Sequence, residues 1–249
     1  MRPDSPGDRL NRISTLWSIV HRAHQAPAEV AGPARRRLLD RYGGAVRRYL
    51  RRLLGDPSAA DDVFQEFALR LLRGDLRGAD PRRGRFRDFV KGVLFHLTAD
   101  HRKQQLKWPG PLPAEGAAAF ADPRGVAPED PFADSWRDEL LARAWAALAE
   151  TDARTGQPFF AVLRFRADHP DLRSPRMAEQ LSARLGRRLT PAGVRQILHR
   201  AREKFAEYLL DEVTQALESP TPEGVEQELV ELGLLDYCRP APGQQAAGV

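Results

Sequence analysis

Hydrophobic positions along the chain recur at helical spacing and almost nowhere alternate. In 55–72, GDPSAADDVFQEFALRLL, the residues Val63, Phe64, Phe67, Ala68, Leu71 and Leu72 define one apolar stripe. Asp56-Pro57-Ser58 breaks the preceding helix and opens this one. Upstream, 29–54 reads as a long helix or a close pair, with Leu38, Leu39, Tyr42, Val46, Tyr49, Leu50, Leu53 and Leu54 inward and Gly43-Gly44 weakening its middle. Downstream, 75–85 is an Arg-rich loop. A helix over 86–107 follows, with Phe86, Phe89, Val90, Val93, Leu94, Leu97 and Leu106 on its inner face. Three such helices suffice for a small bundle.

The pattern then stops. Prolines at 109, 111, 113, 123, 128 and 131 interrupt an Ala/Gly-rich run, which predicts a linker over 108–134. Helical spacing resumes with Ser135 as the expected N-cap of a helix over 136–150, and continues over 157–167 and 176–185, the last capped by Ser174-Pro175 and stopped by Gly186. Thr190-Pro191 predicts a fresh start, N-cap then N1 proline, for a helix carrying Val194, Ile197, Leu198, Ala201, Phe205, Leu209 and Val213. Helix, short turn, helix is a helix-turn-helix arrangement. A last amphipathic segment, 223–235, carries Val225, Leu229, Leu232 and Leu235, and residues after 238 should be disordered. At the other end, 17–24 predicts a short helix packing through Trp17, Ile19 and Val20.

The fold expected is therefore all-α: two small helical domains joined by a Pro-rich linker. The boundaries are an N-terminal segment 1–27, a bundle 28–107, a linker 108–134, a helix-turn-helix domain 135–215 and an acidic extension 216–249.

Charge refines this picture. The net charge is only +5, but Arg crowds 35–107 and 184–204, whereas every charged residue from 211 to 236 is acidic. Such asymmetry belongs to nucleic-acid-binding chains. The single cysteine, Cys238, excludes an internal disulfide and a multi-Cys zinc site, and the six histidines form no ligand spacing with it. There is no phosphate-cradling glycine loop, so no cofactor and no enzyme activity are expected. No apolar run is long enough for a membrane span or a signal peptide, which predicts a cytoplasmic protein.

Three surfaces carry candidate chemistry. Asp62, Gln65 and Glu66 share one helical face, either a solvated face or a dock for a basic partner. Arg82, Arg83, Arg85, Arg87, Lys91, His96, Arg102 and Lys103 could neutralise the phosphates of an unpaired strand, with Phe86 and Phe89 either core or stacking on bases. Arg195, Gln196, His199, Arg200 and Arg202, with Arg187 and Arg188 in the turn, could enter a major groove, or form a solvated basic face of a packing unit.

RYGGAVRRYLRRLLGDPSAADDVFQEFALRLL and GRFRDFVKGVLFHLTADHRKQQ, in that order, resemble the promoter-melting domain of bacterial RNA polymerase sigma factors of the extracytoplasmic-function class. MAEQLSARLGRRLTPAGVRQILHRAREKF is similar to their C-terminal helix-turn-helix, and EQELVELGLLDYC to a subgroup with a C-terminal extension. The resemblance implies that Asp62, Gln65 and Glu66 grip the β′ clamp coiled coil of core RNA polymerase. It implies that the 80–103 region holds the separated −10 strand, and that Arg187, Arg188, Thr190, Arg195, Gln196, His199 and Arg200 read the −35 duplex. Partners implied are core polymerase (β′ clamp and β flap), promoter DNA and, as a candidate, an anti-sigma protein. Phe89 and His96 stand where the family commonly has Trp and Asn, and the turn GRRLTPAG is longer than usual. Rival readings are a stand-alone helix-turn-helix regulator and a helical protein-binding adaptor. The acidic extension, 218–236, would either mask the basic helix until polymerase binds or serve only as a solubilising tail.

Overall fold

The computed structural model describes residues 19–20, 22–23, 26–76, 78–79, 85–107, 130–217 and 220–238. Among them the fold is all helical: α1 Ala28–Leu54, α2 Pro57–Arg73, α3 Phe86–Lys107, α4 Pro131–Thr155, α5 Phe159–Asp168, α6 Ser174–Leu185, α7 Pro191–Ala216, α8 Pro222–Glu231 and α9 Leu235–Cys238. No helix among them is long and apolar enough to cross a membrane. Trp17, His24, most of the expected linker (108–129), the expected disordered end (239–249), and Arg82 and Arg83 lie outside the described residues. The described residues form two compact units. One holds those up to Glu139 with Gln215–Thr221; the other holds Leu140–Thr214 and those from Pro222 on.

In the first unit, α1 is one helix rather than a pair. Gly43 and Gly44 do not break it, and Gly44 leaves room for a neighbour. A side chain at Gly43 would touch the Phe64 ring, and one at Gly44 would run into the Glu139 carboxylate. Leu38, Tyr42, Val46, Tyr49 and Leu50 are buried, as the stripe predicted, and Arg41 is buried with them. Its guanidinium lies 5.9 Å from the Trp136 ring centre.

Helix α2 is stopped at both ends. The Asp56 side chain accepts from the Ser58 and Ala59 amides at 3.0 and 3.3 Å, Pro57 sits in the first turn, and Gly74 closes the other end at φ 84°. A β-carbon at Gly74 would also meet the Arg35 guanidinium. Arg35 itself donates to the Ala23 carbonyl (2.9 Å) and to the Leu72 carbonyl (3.2 Å). It thereby ties the N-terminal segment, where Ile19, Val20 and Ala23 are buried, to the end of α2. Val63, Phe64, Phe67 and Leu71 are buried; Leu72, expected in the stripe, is 38% exposed. On α3, Phe86, Val90, Leu94 and Leu97 are buried, while Phe89 and Val93 are only half-buried. Thr98, which no apolar pattern marks, is buried and satisfied by donating to the Leu94 and Phe95 carbonyls, at 2.9 and 3.0 Å.

The expected cap at Ser135 is wrong. Helix α4 begins at Pro131, so 131–134 are helical rather than linker. Asp130 is the cap, its Oδ1 accepting from the Phe132 and Ala133 amides at 3.0 and 3.3 Å. Proline breaks a helix interior but suits its first turn, and Pro131 sits in that first turn rather than in the linker. Ser135 is buried inside the helix and donates to the Pro131 carbonyl. The early turns of α4 pack in the first unit. Trp136 stacks on Tyr42, Phe132 meets Tyr49 edge to face, and Arg48 and Arg52 pair with Glu139 and Asp138.

In the second unit, Trp145 packs against Phe160 and Phe205, with ring centres 5.7 and 4.8 Å away. The Thr151 and Tyr208 hydroxyls meet at 2.6 Å. Helix α5 starts at Phe159, two residues later than expected, behind Pro158. Asp152 on α4 supplies its missing cap, accepting from the Phe160 and Ala161 amides. Arg173, not Ser174, holds the cap position of α6, a one-residue shift. Val225, Leu229 and Leu232 are buried on and after α8, but Leu234 takes the inward place expected of Leu235. The Tyr237 ring lies 6.4 Å from Phe205, so the extension packs on this unit.

Candidate nucleic-acid interface and docking face

The docking face is the outward side of α2. Asp62, Gln65 and Glu66 are all exposed, and Glu66 accepts from Arg70 Nε at 2.6 Å. The acidity of this face is therefore partly offset, and Asp62 is its least encumbered charge. Two residues that pattern reasoning missed continue the same side: Leu69, 45% exposed, and Leu72. The signal was present, since Leu69 stands i+4 from Gln65 and outside the apolar stripe. An acidic end followed by exposed leucine suits a partner helix with a basic and an apolar part.

The basic residues of α3 divide into two groups. Arg85 is half-buried at the start of the helix, where its backbone amide donates to Asp88 Oδ2. The Arg87 side chain is only 11% exposed and lies 3.8 Å from Asp88. Lys91 donates to Asp130 Oδ2 at 2.9 Å. Arg87 and Lys91 are therefore less available to an outside phosphate than the residue pattern implied. Farther along, His96 and Lys103 are exposed and Arg102 is half-buried. Phe86 is core, edge-on to Tyr42 with ring centres 5.1 Å apart, which settles its part of the stacking alternative. Half-buried Phe89 keeps one side toward solvent.

The Lys91–Asp130 pair shapes local electrostatics. Burial raises the Asp130 carboxyl, but the Lys91 hydrogen bond and charge and the Ala133 and Phe132 amides outweigh it and hold it below the ordinary carboxylate range. Burial, and then the Asp130 charge, push the Tyr49 phenol up, while Arg102 pulls it down.

The second basic surface lies at the junction of α6 and α7. Gly186, at φ 62°, ends α6. The connection is pinned by the Leu189 amide donating to Ser182 Oγ at 2.8 Å, and Thr190 Oγ1 accepts from the Gly193 amide at 3.0 Å, so the expected cap is present. Met177, Ala178 and Leu181 on α6, and Val194, Leu198 and Ala201 on α7, are buried. Arg187, Arg188 and Thr190 in the connection, and Arg195, Gln196, Arg200 and Arg202 on α7, are exposed. His199 is half-exposed, with Nε2 3.5 Å from Glu203. The turn therefore leaves a cluster of long cationic and amide side chains outside, over a buried apolar seam.

Residues 38–107 match the family model described as Sigma-70 region 2. That span runs from within α1 to the end of α3 and includes the α2 face and the basic residues of α3. No curated protein and no solved structure matches the chain. The match covers 70 of the 249 residues, and the family it describes is a non-enzymatic transcription initiation factor.

Proposed function

We propose, taking the region 2 segment as premise, that the chain is a sigma factor of the extracytoplasmic-function class with a C-terminal extension, which brings core RNA polymerase to a subset of promoters. The observation that carries this reading is that the matched segment folds as three helices with Asp62, Gln65 and Glu66 exposed on the middle one. In this reading that face, extended by Leu69 and Leu72, engages the β′ clamp. His96, Arg102 and Lys103 on α3, with Arg85 and half-exposed Phe89, hold the −10 strand. The exposed residues of the α6–α7 connection and of the start of α7 read the −35 duplex as a helix-turn-helix, phosphate contacts fixing register and base-edge contacts giving sequence. The protein acts in the cytoplasm, where its polymerase works.

Run-off transcription with purified core polymerase on a genomic fragment library tests this. The expected result is a discrete set of transcripts that appears only with this protein. If the protein binds duplex DNA alone yet never co-purifies with core or opens a template, the stand-alone regulator replaces it.

A further inference from the structure

The two oxygens of Asp130 do different work. Oδ1 caps α4 through the Phe132 and Ala133 amides, while Oδ2 takes the Lys91 ammonium at 2.9 Å. The cap uses a backbone geometry that any outside ligand leaves untouched. The pair with Lys91 is of another kind, because both side chains keep about a third of their surface exposed, 29% and 37%. A phosphate oxygen approaching from solvent can reach the same ammonium.

Lys91 and Arg102 stand eleven positions apart on α3, which returns them to nearly the same side of the helix, about 16 Å apart along its axis. Arg102 and Asp130 also lie close enough to Tyr49 to act on it with opposite sign. One carboxylate thus sits against a cation on a side of α3 that presents Lys91 and Arg102.

We propose that Asp130 is a built-in competitor for Lys91: it fills the place of a nucleic-acid phosphate in the free protein and yields it when a single strand lies along α3. This rests on the reading of α3 as the strand-binding helix. The competition lowers affinity for stray nucleic acid. It also reserves the Lys91 ammonium for a strand that the rest of the surface already holds firmly.

Asp130→Asn separates the two functions. Asparagine caps a helix as well as aspartate does, so the amide Oδ1 keeps the α4 start, while the group facing Lys91 becomes neutral. Binding of the full-length protein to a fluorescein-labelled single-stranded deoxyoligonucleotide, followed by anisotropy across a salt series, reads the effect. The expected result is about two- to fivefold tighter binding for Asp130→Asn, the size of one partly exposed ion pair. The salt slope should steepen by about 0.7, one added phosphate neutralised on a single strand. Lys91→Met should abolish both effects when combined with Asp130→Asn.

Binding seen with Asp130→Asn but too weak to measure in the unaltered protein would also support competition. An Asp130→Asn protein that matches the unaltered one, while Arg102→Ala/Lys103→Ala weakens binding, overturns the competition and leaves the α3 reading standing. If Arg102→Ala/Lys103→Ala also binds normally, or if no variant binds, the α3 reading fails and the competition with it.

Discussion

Tyr42 on α1 and Trp136 on α4 lie face to face, ring centres 4.5 Å apart and planes within 11°. Trp136 is 1% exposed, so the second turn of α4 is part of the core around α1 rather than an approach to it. Trp136→Ala should remove about 3–5 kcal/mol of stability, the usual loss for a buried large aromatic. Denaturant unfolding of the full chain measures this, and an unchanged midpoint would contradict the assigned packing.

The α2 face predicts loss of binding without loss of fold. Asp62→Arg, Gln65→Ala and Leu69→Asp alter exposed side chains, so each should shift stability by no more than about 0.5 kcal/mol. Each should reduce co-purification with core polymerase, with Asp62→Arg the most severe because it reverses a charge. Normal recovery of core with all three would remove this face from the interface.

Arg195 and Arg200 stand on the exposed side of α7, next to the side that buries Val194 and Leu198. Arg195→Ala and Arg200→Ala should weaken binding to a promoter duplex. A lost phosphate contact flattens the salt slope by about one, and a lost base contact costs about 1–3 kcal/mol and relaxes sequence preference. Footprinting on matched and mismatched −35 duplexes distinguishes the two losses.

Asp130 makes the first unit sensitive to acid. Its folded-state carboxyl titrates below the ordinary 3.8, so the ionised form contributes stability above that value. This contribution is lost as pH falls through the lower, folded value. Asp130→Asn should flatten that part of the acid-unfolding profile and leave the neutral region's slope unchanged. Unfolding midpoints recorded between about pH 5 and pH 2 give the comparison.

Cys238 closes α9, and burial pushes its thiol up to about 11 from the ordinary 9.0. At neutral pH it then holds about a hundredfold less thiolate than a free thiol, and thiolate is the reactive form. Alkylation should be slow in the folded protein and fast after unfolding. Equal rates would mean that α9 does not stay packed.

The helices themselves were legible in the sequence because their stripes are long and their punctuation is chemical: Asp56-Pro57, Gly74, Gly186 and Thr190-Pro191 all act as their residue types dictate. What pattern could not reveal were long-range partners. Ser135 is an ordinary N-cap candidate by type, but the helix begins earlier because Asp130 caps the Phe132 and Ala133 amides, and Tyr42 and Lys91 hold its first turns from a distance. Leu72 fits a stripe by spacing alone, but it stands at the end of α2, where its carbonyl, not its side chain, is engaged by Arg35. In the candidate sites, the exposure of Asp62 and Arg195 followed from helical phase. The withdrawal of Arg87 and Lys91 did not, since Lys91 is held by a residue 39 positions away.

Helix α2 has Asp56 at one end and Gly74 at the other, with Arg35 donating to the Leu72 carbonyl in its last turn. Ends closed in this way oppose fraying of the helix. A partner meets it ready-made, with no segment to order on contact, so encounter should be set by diffusion and long-range attraction. In the proposed role, speed of capture then becomes a property of one helix.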